Sequence, residues 1–317
     1  MDAYLGIDIA KRKFDVALLV GAKFKSKVCS NDAAGFAALT AWLKVHGGGP
    51  VHVCMEATGT YGVALAEYLY DQGHRISIVN PAQIKAFGQS LLTRNKTDAS
   101  DAKLIARFAA SHHPPPWQPP PLEVKLLQAL VRRLAALQEM QQQEQNRLAT
   151  ADPLVQAAIA RHLQFLAAEI DATRRQIHDH IDHHPGLKQK QRLLDTIPGI
   201  GEATIAQILA FIGEPTAFAS ARQLAAFVGL SPRQQQSGTA VQRPAHISKT
   251  GSAALRRALY MPAVVACRYN PIIKAFCTRL KAAGKPSLVI VVAAMRKLLH
   301  IVYGVLKSRQ PFNPRLT

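Results

Sequence analysis

Four acidic side chains in the first hundred residues stand at places where carboxylates could do chemistry. Asp8 closes an apolar run in Gly6-Ile7-Asp8-Ile9-Ala10, and Glu56 closes another in Met55-Glu56-Ala57-Thr58-Gly59-Thr60-Tyr61. Asp98 and Asp101 are three residues apart in a helical pattern, so one helix face presents both. Carboxylates gathered together repel one another, and they persist where divalent cations sit between them; hard oxygen donors suit Mg²⁺ or Mn²⁺. Two such ions can activate a nucleophile and stabilise the leaving oxygen of a phosphodiester. Taken singly, Asp98 reads as a helix cap and Asp101 as a solvated first-turn acid favoured by the helix dipole. Their joint placement with Glu56, at the end of an otherwise apolar strand, favours the metal-binding reading. Arg94 and Lys96, just ahead of Asp98, add charge suited to phosphate.

Those acids need a scaffold. Tyr4–Ile9 and Phe14–Val20 are apolar runs of strand length, separated by a Lys11-Arg12-Lys13 turn, and Lys23–Cys29 alternates as an exposed strand does. Ala34–Val45 has helical spacing, Val51–Met55 is a short buried strand, Tyr61–Tyr70 a helix ended by Gly73, Arg75–Val79 a strand stopped by Asn80-Pro81, and Asp98–Ala110 a helix. Three strands followed by alternating helices and strands is the order of an RNase H-like α/β domain. In such a sheet the first and fourth strands are neighbours, and a helix over their ends brings the four acids together.

Six prolines around Trp117 exclude helix and central strand and predict a stiff boundary. From Leu122 to about Asp182 the pattern is helical, broken at Asp152-Pro153 into two long helices that form an antiparallel hairpin or pair with another subunit; the heptads of a coiled coil are loose. Beyond Leu187 a helix, the turn Ile197-Pro198-Gly199-Ile200-Gly201 and a second helix have the form of a helix-hairpin-helix, in which Gly199 and Gly201 let backbone approach a phosphate. Ala221–Val228 is a short helix, Ser231–Thr250 a long polar loop, and Ser252–Cys267, Pro271–Ala282 and Ser287–Leu306 three more helices. The expected organisation is an α/β domain over 1–118, a helical linker or coiled coil over 119–186 and an all-α C-terminal domain over 187–317.

Charge follows the same division. The chain of 317 residues has 39 Lys and Arg against 20 Asp and Glu, a net of +19. Residues 187–317 carry 19 basic and 3 acidic groups, against a net of +4 for 1–118 and −1 for 119–186. So basic a segment calls for a polyanion, and nucleic acid is the commonest one. Arg233, Arg243, Arg256 and Arg257 belong to the pool from which phosphate contacts are drawn. Membrane binding is the weaker reading, because no basic amphipathic helix with an aromatic face is evident and the apolar run Leu288–Met295 is too short to span a bilayer. The four cysteines form no C-x-x-C pair, which argues against a zinc knuckle, and they fit a reducing cytosol.

With these residues in place the chain resembles the DEDD insertion-sequence transposase and pilin-gene invertase family. The matching stretches are Gly6-Ile7-Asp8-Ile9-Ala10-Lys11, Glu56 to Tyr61, Asn80-Pro81, Arg94-Asn95-Lys96-Thr97-Asp98 with Asp101-Ala102, Ile197 to Gly201, Phe227 to Pro232, Ser237-Gly238 and Leu255 to Met261, in order over nearly the whole chain. The resemblance implies a RuvC-like fold for the first domain, with Asp8, Glu56, Asp98 and Asp101 as ligands of Mg²⁺ or Mn²⁺. It implies a catalytic serine at Ser237, linked covalently to DNA through a phosphoserine. It also implies double-stranded DNA (element ends and target) as substrate, a structured guide RNA as partner, a homo-oligomer (dimer or tetramer) with a site completed between subunits, and a bacterial cytoplasmic, nucleoid-associated location.

Ser237 lies in a polar stretch between Arg233 and Arg243. A serine hydroxyl needs a base or a metal to become nucleophilic, and no base is evident nearby, so activation is expected from the metals of the first domain. Three other readings compete: a RuvC-like Holliday-junction nuclease using water, a site-specific DNA invertase, and a non-catalytic nucleic-acid-binding protein with vestigial acids.

Overall fold

The computed structural model describes residues 3–57, 59–91, 97–237 and 241–315, apart from the side chains of 234–237 and 241–245. The chain divides into two units, residues 1–119 and 120–317.

In the first unit, strands β1 (Ala3–Ile9), β2 (Lys13–Val20) and β3 (Lys23–Ser30) form an antiparallel meander. Helix α1 (Ala33–His46) leads to β4 (His52–Glu56), and α2 (Val63–Asp71) leads to β5 (Arg75–Val79). The strands lie in the order β3-β2-β1-β4-β5, with β4 parallel to both β1 and β5. β1 is central and buried on both faces over Leu5–Ile7, whereas β3 is an edge and alternates, as its sequence predicts.

Leu5, Ile7, Phe14, Val16, Leu18 and Val53 pack on one face against Leu39 and Leu43 of α1 and Leu65 and Leu69 of α2. On the other face Cys54 and Val79 pack against Ile84 of α3 (Pro81–Ser90) and Ile105, Phe108 and Ala109 of α4 (Asp98–His112). Helix α3 is an addition to the sequence reading. Asn80-Pro81, expected only to stop a strand, also starts a helix: Asn80 accepts from Ala82 N at 2.9 Å, and Pro81 takes the first helical position, where its missing N–H costs nothing.

The proline-rich segment after α4 does not hang loose. Ser77 Oγ on β5 donates to Pro114 O at 3.0 Å and Pro115 O at 2.9 Å, and Trp117 N donates to Ile76 O at 2.6 Å. The Trp117 ring meets Tyr70 edge-on, with centroids 6.3 Å apart.

In the second unit, α5 (Leu122–Leu148) and α6 (Pro153–His183) form the expected hairpin around Leu137, Leu166 and Ile170, and Asp152 caps α6 through Leu154 N at 2.9 Å. Near its start α5 joins the main core of the unit, where Gln128 Nε2 donates to Ala210 O at 2.8 Å. That core also holds α7 (Pro185–Asp195), α8 (Glu202–Phe211), α9 (Ala221–Val228), α10 (Ala253–Tyr269), α11 (Pro271–Ala282) and α12 (Ser287–Ser308).

By length and composition α12 is apolar enough to cross a membrane, which the shorter run counted from sequence is not. Its Ala294, Leu298, Leu299 and Val302 are nevertheless fully inside the protein core. Residues 231–250, expected as a loop, contain a two-stranded antiparallel hairpin, β6 (Pro232–Ser237) and β7 (Val241–Ile247). Pattern missed it because neither strand alternates polar with apolar residues; backbone pairing alone defines the hairpin.

Candidate carboxylate site

The site begins with a glycine. A Cβ on Gly6 would stand 2.1 Å from Ala102 O and 2.4 Å from Ala106 N, so α4 lies directly on the β1 backbone and only glycine permits it. Asp8 is two residues further along β1 and so shares that face. The approach at Gly6 fixes the start of α4 close to the strand's carboxyl end.

Two other strands add acids to the same face. Asp8 is directly opposite Asp15 in the β1–β2 ladder. Ile7 pairs with Met55 in the parallel β1–β4 ladder, so Asp8 and Glu56 come next at the carboxyl ends of adjacent strands. Thr97 is the N-cap of α4: its Oγ1 accepts from Ser100 N at 3.2 Å, and Ser100 Oγ accepts from Thr97 N at 2.9 Å. Asp98 therefore is not the cap that a purely structural reading of the sequence would make it. It is the first helical residue and has another partner.

That partner is Lys13, whose Nζ donates to Asp98 Oδ2 at 2.9 Å and to Asp15 Oδ2 at 3.2 Å. The ammonium holds the Asp98 carboxyl below the usual carboxylate range, and the two carboxylates raise Lys13 in turn. Asp8 moves the other way. Partial burial lifts its carboxyl above the ordinary value, and the negative charges of Asp101, Asp98 and Asp15 lift it further. Asp8 thus sits in a field of like charge that a cation would relieve.

Sequence reasoning missed Asp15 and Lys13. The signal was present: Asp15 is an acid inside the apolar run Phe14–Val20, and it is 7% exposed. A buried carboxylate in a strand needs a partner.

Among the described residues, no three His, Cys, Asp or Glu side chains are close enough together to hold a metal ion. The structure brings Asp8, Asp15, Asp98 and Asp101 into electrostatic contact, with Lys13 holding two of them. The donor set is oxygen-rich and excess negative charge surrounds Asp8, which fits a hard divalent cation.

Apart from Arg94 and Lys96, the remaining residues singled out in the sequence are distributed over the second unit. Ser237 ends β6, paired with Val241, and Arg243 on β7 pairs with Gln235; the side chains of both lie outside the described residues, as do Arg94, Lys96 and Gly238 altogether. Arg233 is exposed and pairs with His246. Arg257 is exposed, but Arg256 is half-buried and its Nη1 donates to Val228 O at 2.9 Å and Gly251 O at 3.1 Å. Gly199 has φ +103° and would drive a Cβ to 2.8 Å from Ala266 Cβ, so its backbone is taken up by α10. Gly201 is exposed with open space around it at the start of α8.

Comparison with known proteins defines the class. A DEDD transposase family model, described as a transposase, matches residues 5–151, and the model of the transposase IS116/IS110/IS902 family matches residues 191–278. The chain is 37% identical to the pilin gene-inverting protein of Moraxella bovis over 317 residues, covering 99% of this chain and 98% of that one. It is 36% identical to the pilin gene-inverting protein of Moraxella lacunata over 99% of this chain and 98% of that one. It is 28% identical to the transposase for insertion sequence element IS1111A of Coxiella burnetii over 80% of this chain and 75% of that one. The protein is a DNA transposase or recombinase. It belongs to the IS110 family of transposases.

Proposed function

We propose that this recombinase cuts and rejoins DNA strands with an RNase H-like, RuvC-like carboxylate centre and a serine nucleophile. The observation that carries the reading is the field around Asp8: Asp15 faces it across the ladder, and Asp98 and Asp101 reach it from the start of α4. Asp8, Glu56, Asp98 and Asp101 would hold Mg²⁺ or Mn²⁺, with Asp15 beside them. When bound, such ions neutralise the carboxylates and polarise the scissile phosphate.

Ser237 is the proposed nucleophile. Its Oγ attacks the phosphorus, an Oγ–P bond forms, and the bridging P–O bond breaks. The serine proton passes to solvent, and the departing DNA oxygen takes up a proton to become a hydroxyl. Attack by that or another DNA hydroxyl reverses the step, releasing the serine and joining strands.

We assign the carboxylate centre to residues 1–118, a helical linker to 119–186 and a transposase domain that grips DNA and carries the catalytic serine to 187–317, with α7, the glycine turn and α8 as a helix-hairpin-helix. Double-stranded DNA, a structured guide RNA and further copies of the chain are the proposed partners, in a bacterial cytoplasm. Near full-length similarity to two pilin gene-inverting proteins favours inversion over transposition as the reaction in the cell.

Denaturing gels with labelled donor DNA and Mg²⁺ test the reading. The parent chain should form a protein–DNA adduct, Ser237→Ala should lose it while retaining DNA binding, and Asp8→Asn should fold normally but lose cutting by at least about a thousandfold. Cleavage without an adduct supports a water nucleophile and a junction-nuclease reading. Recombination by Ser237→Ala removes the serine, and retained cleavage by Asp8→Asn removes the carboxylate centre.

A further inference from the structure

We propose that a cleft in the C-terminal unit, bounded by α9, the β6–β7 hairpin, α11 and α12, receives one unpaired DNA nucleotide, with its base on an apolar floor and its phosphate against a cationic rim. The inference rests on the family's action on DNA and not on how the strand is cut.

The cleft encloses about 720 Å³, within the range of sites that take a small ligand. Leu230, Phe276, Val292 and Ala293 supply an apolar floor, and Leu288, 64% exposed, stands at the lip. Arg222, Lys249, Arg296 and Lys297 also line it, and among the described residues no carboxylate does. Two of the three acids in this part of the chain are engaged elsewhere, Glu202 with His178 and Glu214 with Lys190. A cavity that is greasy inside and cationic around the edge matches a flat, weakly polar base carrying a phosphate.

A second feature points the same way. His300 lines the cleft, and its Nε2 is buried without a hydrogen-bond partner. Burial, then Arg296, Lys297 and Arg222, hold the imidazole below its ordinary value, so it is neutral and can donate to or accept from a base edge. Apolar burial alone does not call for such a group, and a buried nitrogen left unpaired is costly. A base pair within a duplex keeps its faces stacked and cannot enter a concave site, whereas an extruded or frayed nucleotide can. Strand exchange by a DNA recombinase produces such nucleotides wherever a duplex is opened.

The test uses the full chain and three ten-nucleotide probes followed by fluorescence anisotropy: oligo-dT, an abasic deoxyribose-phosphate strand and oligo-U. The parent chain should bind oligo-dT about tenfold more tightly than the abasic strand. Leu288→Asp should erase that preference, and Arg296→Gln should weaken both strands together; circular dichroism and melting verify that each variant is folded. Equal binding of dT and abasic strands by the parent overturns the proposal without recourse to any variant. So does a preference that survives Leu288→Asp. A larger gain for oligo-U than for oligo-dT reassigns the cleft to RNA and overturns the DNA assignment. A Leu288→Asp variant that changes oligomeric state while keeping the preference makes the cleft a contact between copies and overturns it as well.

Discussion

In the N-terminal unit the acids occupy strand ends and a helix start fixed by backbone geometry, whereas in the C-terminal unit cations ride on helix faces and a polar hairpin. The first arrangement holds charge at defined separations: a ladder rung sets Asp8 against Asp15, and a glycine sets the distance of α4. The second collects charge over a surface, as backbone recognition requires. A site that does bond chemistry needs the former, and a grip on a polyanion tolerates the latter. Arg256 shows the boundary is not absolute, because this cation in the basic unit is spent on two carbonyls of its own fold.

Substitutions can break this contrast. The largest effect is expected at Gly6, where an added methyl meets α4 backbone. Gly6→Ala should destabilise the N-terminal unit by about 3 kcal/mol and displace Asp98 and Asp101, read as a lower melting temperature and lost cleavage. If the variant melts and cuts like the parent, the strand–helix approach is not what positions the acids.

Acid should strain the same unit. Burial, with Arg75 and His113 adding, pushes His52 down to about 4 from its ordinary 6.5, and its Nε2 is 2.8 Å from Ser77 Oγ. The unfolded chain takes up a proton below about pH 6.5 that the folded chain refuses until about pH 4. His52 therefore costs nothing above that window and removes stability as pH falls through it, by about 3 kcal/mol at the bottom. Melting curves from pH 7 to 4 should show the slope, and His52→Gln should reduce it.

Neighbouring arginines separate grip from scaffold. Arg256→Ala leaves Val228 O and Gly251 O without their donor and should cost about 1–2 kcal/mol of stability. Arg257→Ala should leave melting unchanged while weakening DNA binding and reducing its salt dependence. Equal effects would erase the distinction drawn between the two side chains. The smallest change is expected from Lys13→Gln, whose amide can still donate to one carboxylate: melting should fall slightly, because the buried Asp15 loses its ammonium, and the Asp98 carboxyl should titrate at higher pH, followed by NMR.

Much of the first unit was legible in the sequence because strand alternation, turn residues and helix spacing are local signals. The five strands and the helix carrying Asp98 and Asp101 were read from such patterns. Asp15 was not, since its value comes from a cross-strand rung that one-dimensional periodicity does not reveal. Lys13 read as part of a turn for the same reason: its partners are two residues and 85 residues away. Helix α3 escaped because Asn80-Pro81 serves equally as a stop and a start. The hairpin at 232–247 escaped because polar strands leave no alternation to detect.

The prolines after α4 have a practical consequence. Through Ser77 and Trp117 they occupy the outer side of β5, the last strand of the sheet. An N-terminal fragment ended at His113 would uncover hydrogen-bonding groups on that strand and offer another chain a template for strand addition. Fragments meant to be studied alone should extend through Trp117; shorter ones should self-associate.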